Sequence, residues 1–207
     1  MRHLLYILFS VAVLLTACNG HYDERRQQLL ELQAMNRADS LITNDSLALA
    51  LVAYFDRHGT ANDRLLAHYL LGRTYADLGQ TPQALEAYHD AADQADTTAT
   101  DCDFAILSRV HAQMAHIFIE HENDSDALRE IDITAYYASA AKDTLMQLAC
   151  IEQKANVYKS LGNYDSVLSI RQQSYTLYNK YGYTQQGAMA LGPSIDVLLQ
   201  QGNFDKA

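Results

Sequence analysis

Eight histidines are the residues of this 207-residue chain with the clearest capacity to bind a metal ion. Three of them, His111, His116 and His121, follow one another at intervals of five residues. On an α-helix each interval rotates the side chain by about 140°, so the three imidazoles point in different directions. His121-Glu122 begins like a zinc-protease signature, but Ser125 stands where the second histidine belongs. We therefore expect no metal site, and expect these histidines to pack or to lie on helix surfaces.

Nucleophilic and group-transfer chemistry has no recognisable motif either. The sequence contains no glycine-rich phosphate loop, no nucleophile elbow and no sequence-local acid–base pair. Its three cysteines, Cys18, Cys102 and Cys150, are too few for a disulfide scaffold. We predict that Cys102 and Cys150 are unpaired thiols. We also expect a protein that is not an enzyme and that binds no cofactor.

The composition indicates the charge of the chain and the class of its secondary structure. Lys and Arg total 15 and Asp and Glu total 25, which gives a formal net charge of −10. This balance argues against nucleic-acid binding, because phosphate recognition needs clustered positive charge. Apolar residues make up 49% of the chain, while there are only two prolines and nine glycines. So few helix breakers in a chain with enough apolar residues for a core predict an all-α fold.

Residues 1–18, MRHLLYILFSVAVLLTAC, have the pattern of a secretory signal. Arg2 precedes an uncharged run at 4–15, and twelve residues span about 18 Å, less than the hydrocarbon core of a bilayer. The last four, Leu15-Thr16-Ala17-Cys18, resemble the lipobox of bacterial lipoproteins. That resemblance implies a thioether-linked lipid on Cys18, cleavage before it and acylation of the new amino group, for example by palmitate. An ordinary secretory signal and an apolar N-terminal helix are the alternatives.

The lipobox resemblance also implies a location. A lipid on Cys18 holds the protein on the outside of a bacterial inner membrane or on the outer membrane. Asn19 follows the cysteine, and in Gram-negative lipoproteins an aspartate at that place favours the inner membrane. Asn19 therefore favours the outer membrane. We assign residues 19–23 to a short tether between the anchor and the rest of the chain.

The remaining residues, 24–207, carry a repeated pattern whose clearest unit is 65–98. This unit resembles the tetratricopeptide repeat (TPR), a helical hairpin with small and large residues at fixed positions. With Leu65 as position 1, the matching residues at positions 7, 8, 11, 15, 20, 24 and 27 are Leu71, Gly72, Tyr75, Gly79, Ala84, Tyr88 and Ala91. His68 replaces the usual tryptophan at position 4, and Asp96 replaces the usual proline at position 32. We predict that Gly79 forms the turn and that Thr81 is the N-cap of the second helix, with Pro82 following.

The same register recurs downstream at a period of about 40 residues. Position 8 is Gly72, Ala115, Ala155 and Ile195, and position 20 is Ala84, Ala127, Val167 and Ala207. Arg171 occupies position 24, where an aromatic residue is usual, and Gly162, Gly202 and the pair Glu122-Asn123 take the place of Gly79. The resemblance implies a right-handed α-solenoid of TPR-like hairpins. Because the period exceeds the usual 34 residues, we expect longer helices or short extensions in each hairpin.

The ends of the repeat array give further expectations. A weaker first hairpin has helices predicted near 24–41 and 46–57. A helix is predicted from Thr184 to about Gln201, with a kink or a restart at Pro193. The pattern stops at Ala207, where the second helix of the last hairpin is due. We therefore expect an incomplete last hairpin and interpret the chain as the N-terminal portion of a longer repeat protein.

The TPR resemblance also implies a concave groove lined by the first helix of each hairpin. Carried over residue by residue, the candidate groove residues are Tyr69, Arg73, Asp77, Arg109, His116, Glu120, Glu152, Asn156 and Lys159. Relatives that clamp a terminal carboxylate use Lys and Asn at positions 5 and 9. The pairs found here are Tyr69/Arg73, Ala112/His116 and Glu152/Asn156. The mixed charge favours a polar peptide or protein partner over such a clamp, and the alternative is that these are solvated surface residues.

Three functions fit these observations. The first is a membrane-anchored TPR scaffold that binds a protein or peptide outside the cytoplasm. The second is the sensory repeat region of a signalling receptor whose transmembrane and output domains lie beyond Ala207. The third is a glycan-binding outer-membrane lipoprotein, for which the fourteen tyrosines would supply stacking surfaces. We favour packing roles for the tyrosines, because aromatic residues at helical spacing more often fill cores.

Overall fold

The computed structural model describes residues 21–200, which form nine α-helices and no strand. The chain divides into two compact units, Met1–Cys102 and Asp103–Ala207. Each unit is built from antiparallel helices joined by short turns. The lipobox with Cys18, and Gly202 with the residues after it, on which the prediction of an incomplete last hairpin depends, lie outside the described residues.

Unit 1 contains four described helices. They are α1 (21–37), α2 (Ser46–His58), α3 (Ala61–Asp77) and α4 (Thr81–Gln94). Helices α3 and α4 form the hairpin that the sequence pattern predicts, and α2 packs against α3. Gly79 adopts the left-handed conformation, with φ of +71°, so the predicted turn is confirmed.

Unit 2 contains five helices of 17 residues each. They are α5 (Phe104–Glu120), α6 (Asp124–Ala140), α7 (Thr144–Ser160), α8 (Tyr164–Lys180) and α9 (Thr184–Gln200). Each packs against the next one along the chain. Three residues separate successive helices, so a hairpin repeats every 40 residues. Longer helices therefore account for the period, as predicted.

Capping residues mark the start of the first four helices of unit 2. The side chains of Asp103, Asn123, Asp143 and Asn163 each accept a hydrogen bond from the backbone N–H three residues later. For Asp143 and Met146 this bond measures 2.9 Å. Each cap satisfies an N–H group that the helix itself leaves without an acceptor, which is worth about 1 kcal/mol.

Each turn between successive helices of unit 2 contains one residue with a positive φ. The residues concerned are Glu122, Lys142, Gly162 and Gly182. A left-handed residue closes the preceding helix by directing its N–H back to the last turn. Glycine adopts this conformation without strain, whereas Glu122 and Lys142 do so at a cost in conformational energy.

Small residues allow the helices of each hairpin to approach closely, as the register predicts. The residues at positions 8 and 20 are buried in the first three clear hairpins: Gly72, Ala84, Ala115, Ala127, Ala155 and Val167. In unit 1 the fully buried ring of Tyr88 lies against Gly72. In unit 2 Ala115, Ala127, Ile131 and Val157 belong to one core cluster. The alternation of small and large side chains therefore builds the core.

The first hairpin differs from the sequence prediction at its start. Helix α1 includes residues 21–23, which we assigned to the tether, and it ends at 37 rather than 41. The reason is a set of contacts with buried Asp63 on α3. Tyr22 donates a hydrogen bond to this carboxylate at 2.6 Å, and Arg26 forms an ion pair with it. The second helix agrees with its predicted range, since α2 runs from Ser46 to His58.

One predicted local feature needs correction, and one of the two alternatives predicted at Pro193 is excluded. Gln80 rather than Thr81 is the N-cap of α4, because the Gln80 carbonyl accepts the first helical bond, from Ala84 N at 2.9 Å. Pro82 stays within the first turn, where it costs the helix no hydrogen bond. Helix α9 continues through Pro193 as one element, so the helix does not restart there. None of the helices among residues 21–200 combines the length and the apolar composition that a bilayer-spanning helix requires.

Candidate functional site

In unit 1, two of the predicted groove residues line a polar cavity of about 210 Å³. Arg73 donates a hydrogen bond from Nε to Asn36 Oδ1 at 2.9 Å, and its Nη2 lies 3.6 Å from Asp77 Oδ1. Asp77 also accepts a hydrogen bond from the backbone N–H of Ile42 at 3.3 Å. Arg73 thus joins α3 to α1, Asp77 joins α3 to the segment after α1, and their charges are largely satisfied within unit 1.

Tyr69, the third groove candidate of unit 1, lies in the core. Its side chain is only 4% exposed, and its ring centroid is 6.3 Å from that of Tyr88. Burial raises the pKa of the Tyr88 phenol, so this ring stays neutral in the core. The reason for the difference from prediction is the closeness of α3 and α4 at Gly72, which draws the aromatic side chains inward.

In unit 2, a separate cavity of about 70 Å³ lies between α5, α6 and α7. We call it the α5–α7 cavity, and it is lined by Ala112, Ala115, His116, Ile131, Thr134, Met146, Ala149, Cys150 and Gln153. Two of these, Ala112 and His116, are at positions 5 and 9 of the repeat, the positions from which the sequence predicts a groove. The predicted groove positions Ala112 and His116 thus contribute to the lining of this cavity.

His116, which lines this cavity, forms an exposed pair with Glu120 one helical turn away. His116 Nε2 lies 3.3 Å from Glu120 Oε1, and each side chain is 59% exposed. An exposed pair four residues apart on a helix contributes only a few tenths of a kcal/mol. Both side chains are consequently free to exchange this contact for one with a partner.

Glu152 and Asn156, the groove candidates at positions 5 and 9 of the next hairpin, are brought together by Arg171. Arg171 Nη2 donates a hydrogen bond to Asn156 Oδ1 at 2.6 Å, and its Nη1 lies 3.7 Å from Glu152 Oε2. Burial raises the pKa of Glu152, and the charge of Arg171 opposes that shift. Arg109 and Lys159, the remaining candidates, are half-buried on α5 and α7 and are not among the residues that line the cavity.

Solved structures similar to this chain identify its fold. One is the crystal structure of the nearly identical TPR-like repeats of a protein described as a kinesin light chain from Podosopora anserina. It aligns with a TM-score of 0.66 and 14% sequence identity, over 87% of this chain and 90% of that one. A single-substitution form of the same repeats aligns with a TM-score of 0.68 and 14% identity, over 90% and 92%. The chain has the fold of TPR-like repeats.

This likeness confirms the predicted fold class, an all-α fold of the α-solenoid class built from TPR-like hairpins. No protein-family model matches the chain, and no curated protein sequence matches it. The departures from the usual repeat pattern explain part of that result. Two of them, His68 at position 4 and Arg171 at position 24, put polar groups where the pattern has aromatic ones.

Arg171 is the residue near the candidate groove whose contacts sequence reasoning missed. It is 4% exposed, so it fills the interior of its TPR-like hairpin as an aromatic ring would, with its charge directed to Glu152 and Asn156. The sequence does indicate that Arg171 is paired, because a charged residue at a core position needs a partner on a facing helix. The identity of those partners depends on the packing of α8 against α7.

Other histidines of the TPR-like hairpins pair with acidic residues. His111 Nδ1 lies 2.7 Å from Glu130 Oε2, and His68 Nε2 lies 2.9 Å from Asp56 Oδ1. Burial alone raises the pKa of Glu130, but the hydrogen bond and charge of His111, together with Arg129, outweigh burial and hold that pKa below its ordinary value. Within residues 21–200 no group of three or more His, Cys, Asp or Glu side chains is arranged to hold a metal ion.

The tyrosines divide between packing and exposure. Tyr178 is buried and meets Tyr183 edge-to-face, and Tyr137 stacks on both Phe104 and His111. Tyr136 is exposed beside Tyr137 on α6. Tyr175 and Tyr181 are exposed as well. The packing roles favoured from the sequence therefore hold for some of the tyrosines and not for these three exposed ones.

Proposed function

We propose that this protein is a non-catalytic scaffold that binds a protein or peptide partner outside the cytoplasm and is held at a bacterial membrane by a lipid on Cys18. The TPR-like fold supports the first part, because repeats of this kind are typical of protein-interaction scaffolds. The signal-like segment 1–18 and its lipobox support the second part.

The α5–α7 cavity carries the proposal for partner binding. Its lining includes exposed His116, which pairs with Glu120 one helical turn away, and both residues are at positions where TPR-like repeats present their groove. Binding sites are typically concave, largely apolar and bordered by a few polar groups that orient the ligand. The cavity and its edge have this combination, whereas in the polar cavity at Arg73 and Asp77 the two charged side chains already contact each other and Arg73 also donates a hydrogen bond to Asn36.

Site-specific crosslinking tests the partner-binding proposal. A photoreactive amino acid at position 120 should capture a protein in intact cells, and the same group at exposed Gln172 on α8 should not. Binding of the captured protein is then measured with purified components. His116→Ala with Glu120→Ala should weaken it at least tenfold, because these side chains flank the cavity and contribute little to the fold.

The matched control is Gln172→Ala with Gln173→Ala, two exposed residues on α8 of the same unit. These substitutions should leave affinity unchanged. Equal crosslinking at positions 120 and 172, or equal affinity of the two double variants, would show that the partner does not bind at this face.

Membrane partitioning tests the anchor. Cys18→Ala should move the protein from the membrane fraction to the soluble fraction and abolish incorporation of labelled palmitate. Cys102→Ala, which leaves the lipobox intact, should behave like the parent protein. Sedimentation of the Cys18→Ala variant with membranes to the same extent as the parent would exclude lipid anchoring at this residue.

A further inference from the structure

The α5–α7 cavity has a closed floor and an open mouth. Its floor is formed by Ala115, Ile131, Thr134 and Cys150, all of which are buried. Its mouth lies at the exposed residues His116 and Gln153. This gradient from buried to exposed residues within one cavity indicates a pocket that a group can enter from solvent.

The floor of the pocket carries no charge. Thr134 donates its hydroxyl proton to the Glu130 carbonyl at 2.8 Å, so this hydroxyl is satisfied within α6. Burial raises the pKa of the Cys150 thiol to about 11, which keeps the sulfur protonated and neutral at physiological pH. Alanine and isoleucine supply the remaining floor. An apolar group gains by entering, whereas a charged group would lose its hydration without a partner.

The volume of the pocket limits the size of its occupant. An apolar cavity of about 150 Å³ holds one benzene molecule, which corresponds to about 25 Å³ per carbon atom. By that measure the 70 Å³ of the α5–α7 cavity suits about three carbon atoms. The isopropyl group of a valine side chain has three, while a phenylalanine side chain has seven.

We propose that the α5–α7 cavity is a specificity pocket that holds a valine side chain of the partner peptide, with His116 and Gln153 beside the peptide backbone at its mouth. The inference rests on the proposed function and names the partner's chemistry: a segment that presents a small, branched and uncharged aliphatic side chain. Alanine leaves most of the pocket empty, and an aromatic residue does not enter. Ala149, in the wall on α7, sets the width.

Methionine methyl resonances provide the test, because Met146 lines the pocket while Met35, Met114 and Met189 lie elsewhere. The full chain, with its methionine methyl groups labelled with carbon-13, is titrated with N-acetyl-valine N-methylamide. We expect a saturable shift of the Met146 resonance and none of the other three. The glycine analogue should give no saturable shift, and the phenylalanine analogue should bind at least tenfold more weakly than the valine compound.

Variants that fill the pocket should abolish the Met146 shift. Ala149→Leu fills it from α7 and Ala112→Leu fills it from α5, so failure of one variant to fold leaves the other as a test. The matched control is Ala140→Leu, the same change at an exposed position at the end of α6. The control should bind the valine compound like the parent.

The results separate this inference from the proposed function. An unmoved Met146 resonance, or equal binding of the valine and phenylalanine compounds, overturns the pocket whether or not a partner has been crosslinked. A crosslinked partner that binds Ala149→Leu as tightly as the parent also overturns it, while the scaffold function stands. A saturable valine shift without any crosslinked partner supports the pocket and contradicts the scaffold function.

Discussion

Gly72 on α3 lies directly against the ring of Tyr88 on α4, so that a Cβ atom added at Gly72 would come within 2.4 Å of Tyr88 Cε1. Only glycine, which has no Cβ atom, leaves room for the ring at this distance. The contact fixes how closely α3 and α4 approach, and the same approach buries Tyr69 between them. The small residue at position 8 is therefore a packing requirement of this hairpin.

Gly72→Ala should destabilise unit 1 by about 2 kcal/mol, because the methyl group forces the buried ring or the helix to move. Urea denaturation followed by circular dichroism measures this loss. Gly192→Ala in α9 is the matched control, since a Cβ atom there meets nothing within 4 Å apart from its chain neighbours. The control should change the stability by less than about 1 kcal/mol, because Pro193 disfavours a helical residue with a Cβ atom before it and so opposes the gain in helix propensity. Similar stabilities of the two variants would contradict the steric account of Gly72.

Arg171→Met should destabilise unit 2 by about 3 kcal/mol, because it leaves the half-buried Glu152 carboxylate and the Asn156 amide without their partner. Adding Glu152→Gln to this variant should recover part of the loss, since the unpaired charge is then removed. Lys154→Met is the control: it breaks a more exposed ion pair with Asp132 and should cost less than about 1 kcal/mol. A double variant no more stable than Arg171→Met would show that the ion pair is not the reason.

Glu130→Gln should remove a pH-dependent part of the stability of unit 2. The pKa of Glu130 in the folded protein lies below its ordinary value of 4.5, so its ionised form stabilises the folded state above that pH. This contribution is lost as the pH falls through the lowered pKa and Glu130 takes up a proton. The free energies of unfolding of parent and variant should therefore differ at neutral pH and converge in acid.

Urea denaturation at a series of pH values tests this expectation. Glu86→Gln, at an exposed position on α4, is the control and should leave the pH dependence unchanged. A difference between parent and Glu130→Gln that stays constant from neutral pH into acid would contradict a role for the ionised carboxylate.

Cys150 should resist alkylation until the protein unfolds. Its side chain is 5% exposed and its thiol has a pKa of about 11, so at about pH 8 about one thiol in a thousand is ionised, compared with about a quarter for an ordinary cysteine. Mass spectrometry after iodoacetamide treatment should show modification of Cys150 only in urea. Modification of Cys150 in the folded protein as fast as in urea would show that the thiol is accessible.

The sequence predicted those features of the fold that depend on local spacing. Small residues at positions 8 and 20, and the glycine turns at Gly79 and Gly162, repeat at fixed intervals and are found in the structure where expected. These features are readable because a helical hairpin packs mainly with its own neighbours in sequence. The boundary of α1 was less predictable, because it depends on contacts of Tyr22 and Arg26 with Asp63, about forty residues away.

The candidate site was predicted less completely, for a physical reason that Tyr69 and Arg171 illustrate. Position in the repeat indicates which helix face a residue occupies, but not how far a large side chain bends toward the core. Tyr69 is drawn inward by the close approach of α3 and α4, and Arg171 finds partners only on the neighbouring helix α7. His116 is different, because it is exposed and its partner Glu120 lies on the same helix. It lines the α5–α7 cavity.

The regular spacing of unit 2 has a consequence for how such a protein changes its length. The caps alternate as Asp103, Asn123, Asp143 and Asn163, and each lies 20 residues after the last. Duplication or deletion of any 40-residue segment between equivalent points would therefore join a helix end to a matching cap and turn. Recombination within the gene can thus lengthen or shorten this unit by whole hairpins while every new junction already contains the residues that it needs.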